Sequence, residues 1–113
     1  MPATFEIKKA KNGQTYFNLK ATNGEVILTS EMYKAKASTK NGIESVKKNA
    51  ADALRYAKQR SRNGKFYFTL KAANSQVIGN SEMYESEQAC EKGIKSVMKN
   101  APGAVIKDLS IAR

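Results

Sequence analysis

Nearly the same stretch of about fifty residues occurs twice in this chain, and no other feature constrains the fold as strongly. Asn12-Gly13 returns 51 positions later as Asn63-Gly64. At that offset Tyr16-Phe17 meets Tyr67-Phe68, Leu19-Lys20-Ala21 meets Leu70-Lys71-Ala72, and Val26-Ile27 meets Val77-Ile78. Ser30-Glu31-Met32-Tyr33 recurs unchanged as Ser81-Glu82-Met83-Tyr84. Gly42-Ile43 recurs as Gly93-Ile94, and Lys48-Asn49-Ala50 as Lys99-Asn100-Ala101. Each half alone is near the size where a core becomes marginal. The economical arrangement is one domain over residues 1–113, built of repeat one (about 4–54) and repeat two (about 55–110).

Within repeat one, Phe5-Glu6-Ile7-Lys8-Lys9 alternates apolar and polar like a half-buried strand. Asn12-Gly13 is a hairpin signal, because both residues tolerate positive φ. From Thr15 the pattern alternates again, with Phe17, Leu19 and Ala21 on one side and Tyr16, Asn18 and Lys20 on the other. Asn23-Gly24 makes the next turn, and Glu25 to Tyr33 reads as a third strand. A helix follows from about Lys36 to Asn49. Thr39, Ile43, Val46 and Ala50 fall on one face of it, as Cys90, Ile94, Val97 and Ala101 do in repeat two. Ser86 suits the N-cap of the second helix, and Asn49 and Asn100 suit a left-handed residue at the helix ends. Gly42 and Gly93 lie inside the helices against propensity, which points to close packing of the helix on the sheet. Residues about 53 to 61 serve as the last strand of one copy and the first of the next, with no flexible linker.

Composition removes several functions. Without histidine, the commonest general base and metal ligand is missing. A single cysteine, Cys90, rules out an internal disulfide. Its counterpart in repeat one is Thr39, so it reads as a small buried side chain. No phosphate-cradling glycine loop is present, and neither metal nor cofactor is expected. No apolar run approaches the ~20 residues of a membrane span. The start of the chain lacks a signal-peptide pattern, so the expected location is the cytoplasm. The net charge of +10, spread over both halves, can attract a polyanion.

Two groups of residues are candidate sites. Tyr16 with Lys20, and Tyr67 with Lys71, lie on the polar face of the second strand of each copy, where aromatics stack bases and lysines neutralise phosphates. Ser30, Glu31 and Tyr33, with Ser81, Glu82 and Tyr84, form a paired motif at a strand end. It serves either as a binding site or as a hydrogen-bonded junction between sheet and helix. The helices themselves differ in charge. Lys34, Lys36 and Lys40 precede or open the first, where Glu85, Glu87 and Glu91 stand in the second. A polyanion site is therefore expected on the sheet face, at the turns, or in repeat one alone.

The Asn-Gly hairpins, Leu-Lys-Ala after the aromatic pair, Ser-Glu-Met-Tyr and the Gly-Ile-containing helix together resemble the YegP-like family of small bacterial proteins of unknown function. The resemblance covers nearly the whole chain. It implies an α+β fold: tandem β3-α-β repeats with pseudo-two-fold symmetry, sharing one antiparallel sheet, with two helices on one face and exchanged last strands. The departures are Gly24 becoming Ser75 and Leu28 becoming Gly79, expected to loosen the second hairpin and strand. The resemblance supplies neither catalytic residue nor ligand. The functional expectation is a non-enzymatic, soluble interaction module, sufficient as a monomer, with an unknown partner. The alternative is nucleic-acid binding through the basic, tyrosine-bearing sheet face. An enzyme using Glu31 and Tyr33, or Glu82 and Tyr84, is the third class.

Overall fold

The computed structural model describes residues 3–110. Three strands, β1 (Thr4–Lys9), β2 (Thr15–Lys20) and β3 (Val26–Thr29), are followed by helix α1 (Lys36–Asn49). A single 3-10 turn, Ala53–Arg55, leads into β4 (Tyr56–Arg60), β5 (Phe66–Lys71) and β6 (Val77–Asn80). Helix α2 (Glu87–Asn100) and strand β7 (Val105–Asp108) complete the described residues' order of elements. The strands form one 7-stranded sheet in the order β4-β5-β6-β3-β2-β1-β7. The two meanders meet where β3 and β6 pair antiparallel through Thr29 and Asn80, which places the pseudo-two-fold axis there.

Both helices cover one face. Each crosses the boundary between copies: α1 packs on β2 and β6, and α2 on β5 and β3. Alternation along β1, β2 and β5 delivers Phe5, Ile7, Phe17, Leu19, Phe68 and Leu70 to that face, where all are fully buried. Ile43, Val46 and Val97 meet them from the helices and are fully buried too, whereas Ile94 is only partly buried. A bulge between β2 and β3, where pairing skips from Leu19↔Leu28 to Lys20↔Val26, lets both Ile27 and Leu28 join the core.

Several expectations are corrected. The sheet is antiparallel in every ladder but one, since β7 runs parallel to β1. The last strands are exchanged as expected: β7 crosses to repeat one, and the end of repeat one continues into β4 on repeat two, where it serves as the first strand. The third strand is shorter than the pattern suggested, and Tyr33 makes only an isolated bridge to Thr15. Asn49 and Asn100 are not left-handed caps. Each turns its amide back on its own helix, to the carbonyl oxygens of Ser45 and Ser96, both at 2.8 Å. Ser86 does cap α2, accepting from the Ala89 N–H at 3.0 Å. Ala35 opens α1 with no side-chain cap.

Ser75 and Gly79 do not loosen repeat two. Ser75 adopts φ 71 and closes the turn of its counterpart Gly24 (φ 85), with the same 2.9 Å bond to the residue three before it. A β-carbon on Gly79 would lie 2.7 Å from Leu28 Cγ. One leucine reaches across the axis, and the glycine opposite makes its room. Gly42 is explained similarly: a β-carbon there would lie 2.5 Å from the Tyr33 hydroxyl, and Tyr84 sits over Gly93 in the same way.

Candidate functional site

The face without helices is built from the other half of the alternation. On it β2 presents Tyr16, Asn18 and Lys20, and β5 presents Tyr67, Thr69 and Lys71. Glu6, Asn18, Thr29, Asn80 and Thr69 stand side by side on successive strands, making a polar floor across the axis. Asn18 Nδ2 donates to Thr29 Oγ1 at 2.9 Å, and Asn80 Nδ2 donates to Glu31 Oε2 at 3.1 Å. Thr69 Oγ1 is buried with no hydrogen-bond partner among the described residues. The floor is shielded by a fringe of half-buried Tyr16, Lys20, Tyr67 and Lys71.

The two halves of this face differ in one residue that motif reading passed over. Glu6 is 8% exposed and binds Lys20 Nζ at 3.1 Å, with Lys8 Nζ at 3.7 Å. Its counterpart in repeat two is Ala57. Lys20 is therefore neutralised, while Lys71 has no ion pair among the described residues. The signal was present in the alternation of β1, but the pairing of β1 with β2 was needed to interpret it.

The serines of the paired motif are occupied by the fold. Ser30 Oγ accepts from the Phe17 N–H at 2.9 Å and donates to the Glu31 carbonyl at 2.8 Å. Ser81 does the same with Phe68 and Glu82, at 2.9 and 2.8 Å. Tyr33 and Tyr84 lie against the glycine flats of α1 and α2. Burial, reinforced by Glu31, pushes the Tyr33 phenol above its ordinary pKa. For Tyr84, burial is again the main cause, with Cys90, Glu82 and Glu25 adding to it. Both phenols are thus held in the protonated form. In repeat two Glu82 and Tyr84 border a common surface depression with Glu25, Val26 and Ile27. In repeat one Glu31 bonds to Asn80 instead. The motif therefore contributes alike in both copies to the junction, while its two glutamates have different surroundings.

Cys90 is buried, and burial raises its thiol pKa, so the reactive thiolate is disfavoured. Among the described residues no cluster of His, Cys, Asp and Glu could hold a metal ion, and no helix is long and apolar enough to cross a membrane.

Fold and motifs together define a tandem β3-α-β domain of the single-chain, pseudo-dimeric kind. The chain belongs to the family described as a domain of unknown function, DUF1508, which matches it twice, over residues 10–56 and 61–108. It is 57% identical over 110 residues to a UPF0339 protein of Acinetobacter baylyi, covering 97% of this chain and 99% of that one. It is 56% identical over 107 residues to UPF0339 protein YegP of Yersinia pestis, covering 95% and 96%. Two solution NMR structures share the fold. The UPF0339 protein of Shewanella oneidensis superposes with a TM-score of 0.91 at 54% identity, covering 97% of this chain and 93% of that one. The protein of unknown function yegP from E. coli gives 0.93 at 48% identity, covering 100% and 97%. The relatives carry no assigned function, and nothing about them indicates catalysis.

Proposed function

We propose that the chain is a non-catalytic binding module and that its helix-free sheet face takes a single-stranded polyanion, RNA or DNA. One observation carries this reading: repeat two presents Tyr67 and Lys71 on a polar floor, with Ala57 where Glu6 neutralises the equivalent lysine. A tyrosine offers a stacking surface to any base, and an uncompensated lysine beside it offers a phosphate contact. Lys8 and Lys107 lie on the same face in repeat one and at its edge, extending the positive surface. The non-catalytic part is supported by the engaged serines and protonated phenols of the conspicuous motif. A cytoplasmic monomer of net charge +10 suits this role.

Fluorescence anisotropy with labelled single- and double-stranded oligonucleotides at about 50 and about 200 mM salt tests it. Binding should be single-strand selective and fall steeply with salt. Tyr67→Ala with Lys71→Glu should weaken it at least about tenfold, more than Tyr16→Ala with Lys20→Glu. Absence of binding at the lower salt, or equal weakening by Lys99→Glu on the helix side, overturns the reading.

A further inference from the structure

The polar floor of the helix-free face ends differently in the two copies. Its row runs Ala57, Thr69, Asn80, Thr29, Asn18, Glu6 on neighbouring strands from β4 to β1. The registers correspond, since Glu6 pairs with Asn18 and Ala57 with Thr69. At the repeat-one end the polar groups satisfy one another. Asn18 donates to Thr29, and Lys20 and Lys8 bind the Glu6 carboxylate at 3.1 and 3.7 Å. At the repeat-two end Ala57 replaces Glu6, and Gln59 replaces Lys8. Asn80 turns its amide to Glu31 rather than to Thr69, and the Thr69 hydroxyl is buried without a partner among the described residues. Thr69 is 7% exposed and stands between Tyr67 and Lys71 on the same face of β5. Lys71, the counterpart of Lys20, has no ion pair among the described residues.

We propose that the surface over Ala57 seats one phosphate group, in the place that the Glu6 carboxylate fills in repeat one. Given the reading of this face as a polyanion surface, on which this rests, the seat is where one phosphate of the strand is held. Lys71 supplies the charge, as Lys20 does for Glu6. The Thr69 hydroxyl donates to a phosphate oxygen, which gives a buried polar group its hydrogen-bond partner. Tyr67, two residues before Thr69 on the same face, is left for the adjoining base.

The other charges of this end are engaged or remote. Arg55, two residues before Ala57, also has a buried atom without a hydrogen bond, Nε, but its guanidinium is paired with Asp52 at 3.4 Å. Glu31, bound to Asn80, acts two strands away from Ala57. Lys58 and Arg60 are held elsewhere, by Glu87 and Glu91 and by the Phe66 ring. One lysine is therefore left for one anion. Repeat one carries more positive charge, with Lys8, Lys20 and Lys107 about Glu6, but there the chain's own carboxylate fills the place.

The probes are inorganic phosphate and a short single-stranded oligouridylate, which separate a free phosphate from that of a strand. Each is titrated at about 20 mM salt into isotope-labelled full-length protein and followed by amide NMR shifts. Phosphate should move Ala57, Thr69 and Lys71 with a Kd of about 10 mM or below, and leave Glu6, Asn18 and Lys20 in place. Ala57→Glu should abolish those shifts and weaken the oligonucleotide at least about fivefold. Ala57→Gln, similar in size but uncharged, should weaken both less. Glu6→Ala should open a second seat, with new phosphate shifts at Asn18 and Lys20; if that variant fails to fold, Ala57→Glu decides alone. Phosphate shifts at the seat with no oligonucleotide binding would support the seat and overturn the polyanion reading. Oligonucleotide binding that Ala57→Glu leaves unchanged would overturn the seat and leave that reading standing. Absence of phosphate shifts at Ala57 and Thr69, or equal shifts at Lys20 and Lys71 in the unaltered protein, would also overturn the seat.

Discussion

The two long edges of the sheet descend from the same sequence and have come to opposite states. β1 is covered by β7, and the residues beneath that contact are apolar and fully buried. β4 is bare, and at the matching places it carries a tyrosine whose hydroxyl donates to the Ala50 carbonyl at 2.6 Å and a lysine paired to two glutamates. Polar substitution of this kind is how an edge strand is kept soluble and unpaired. The cause lies in chain connectivity. A β3-α-β unit repeated as separate pieces would supply eight strands, but the segment after α1 serves as the first strand of repeat two, leaving seven. A fused duplication is thus not a symmetric dimer with a linker, because the shared strand must choose one side.

The sharpest way to break this comparison is to truncate equivalent rings. Phe5→Ala should cost about 3–5 kcal/mol, and Tyr56→Ala clearly less, in urea unfolding. Equal losses would mean that the edges are packed alike. Next comes the axis. Leu28→Ala should cost about 2–5 kcal/mol by leaving a cavity, and Gly79→Leu alone should also destabilise by overpacking. The double exchange, Leu28→Gly with Gly79→Leu, should regain most of the loss; if it does not, the pair is not a reciprocal fit.

Smaller effects test where the copies should agree. Gly42→Ala and Gly93→Ala should each cost about 1–3 kcal/mol, despite the gain of about 1 kcal/mol in helix propensity, because each methyl meets a phenol. Tyr33→Phe should relieve the first, and thermal unfolding of the double variant checks it. Ser75→Gly should stabilise by about 0.5–1 kcal/mol and Gly24→Ser should lose a similar amount, since both positions are left-handed.

The smallest effect is pH-dependent. Hydrogen bonds from Ser110, then from Lys36, pull the Asp108 carboxyl from 3.8 down to about 2. A carboxyl with a lowered folded-state pKa stabilises above its unfolded pKa, and that contribution disappears as pH falls through the folded value. The protection of β7 amides, taken relative to their intrinsic exchange rates, should therefore fall between about pH 4 and pH 2, and Asp108→Asn should abolish the dependence.

Much of this was legible in the sequence, because it depended on local pattern. The alternation of Thr15 to Ala21 assigned Phe17 and Leu19 to the core and Tyr16 and Lys20 to the other face. The 3.6-residue period of Thr39, Ile43, Val46 and Ala50 placed α1. What depended on partners was hidden. The direction of β7 is decided by where α2 sets it down. The bulge that turns Ile27 and Leu28 the same way breaks the very alternation by which strands are read. Gly79 looked like a weakness because its companion Leu28 lies on another strand, 51 positions earlier. Glu6 became meaningful only once β2 brought Lys20 beside it.

The Leu28–Gly79 fit bears on the ancestry of the chain. Two copies of repeat one, paired about the same axis, would press leucine on leucine, and two copies of repeat two would leave the space vacant. Each half has become the particular complement of the other rather than a duplicate of it. A chain carrying two copies of either half would have the wrong pair at its centre, so the halves are not interchangeable.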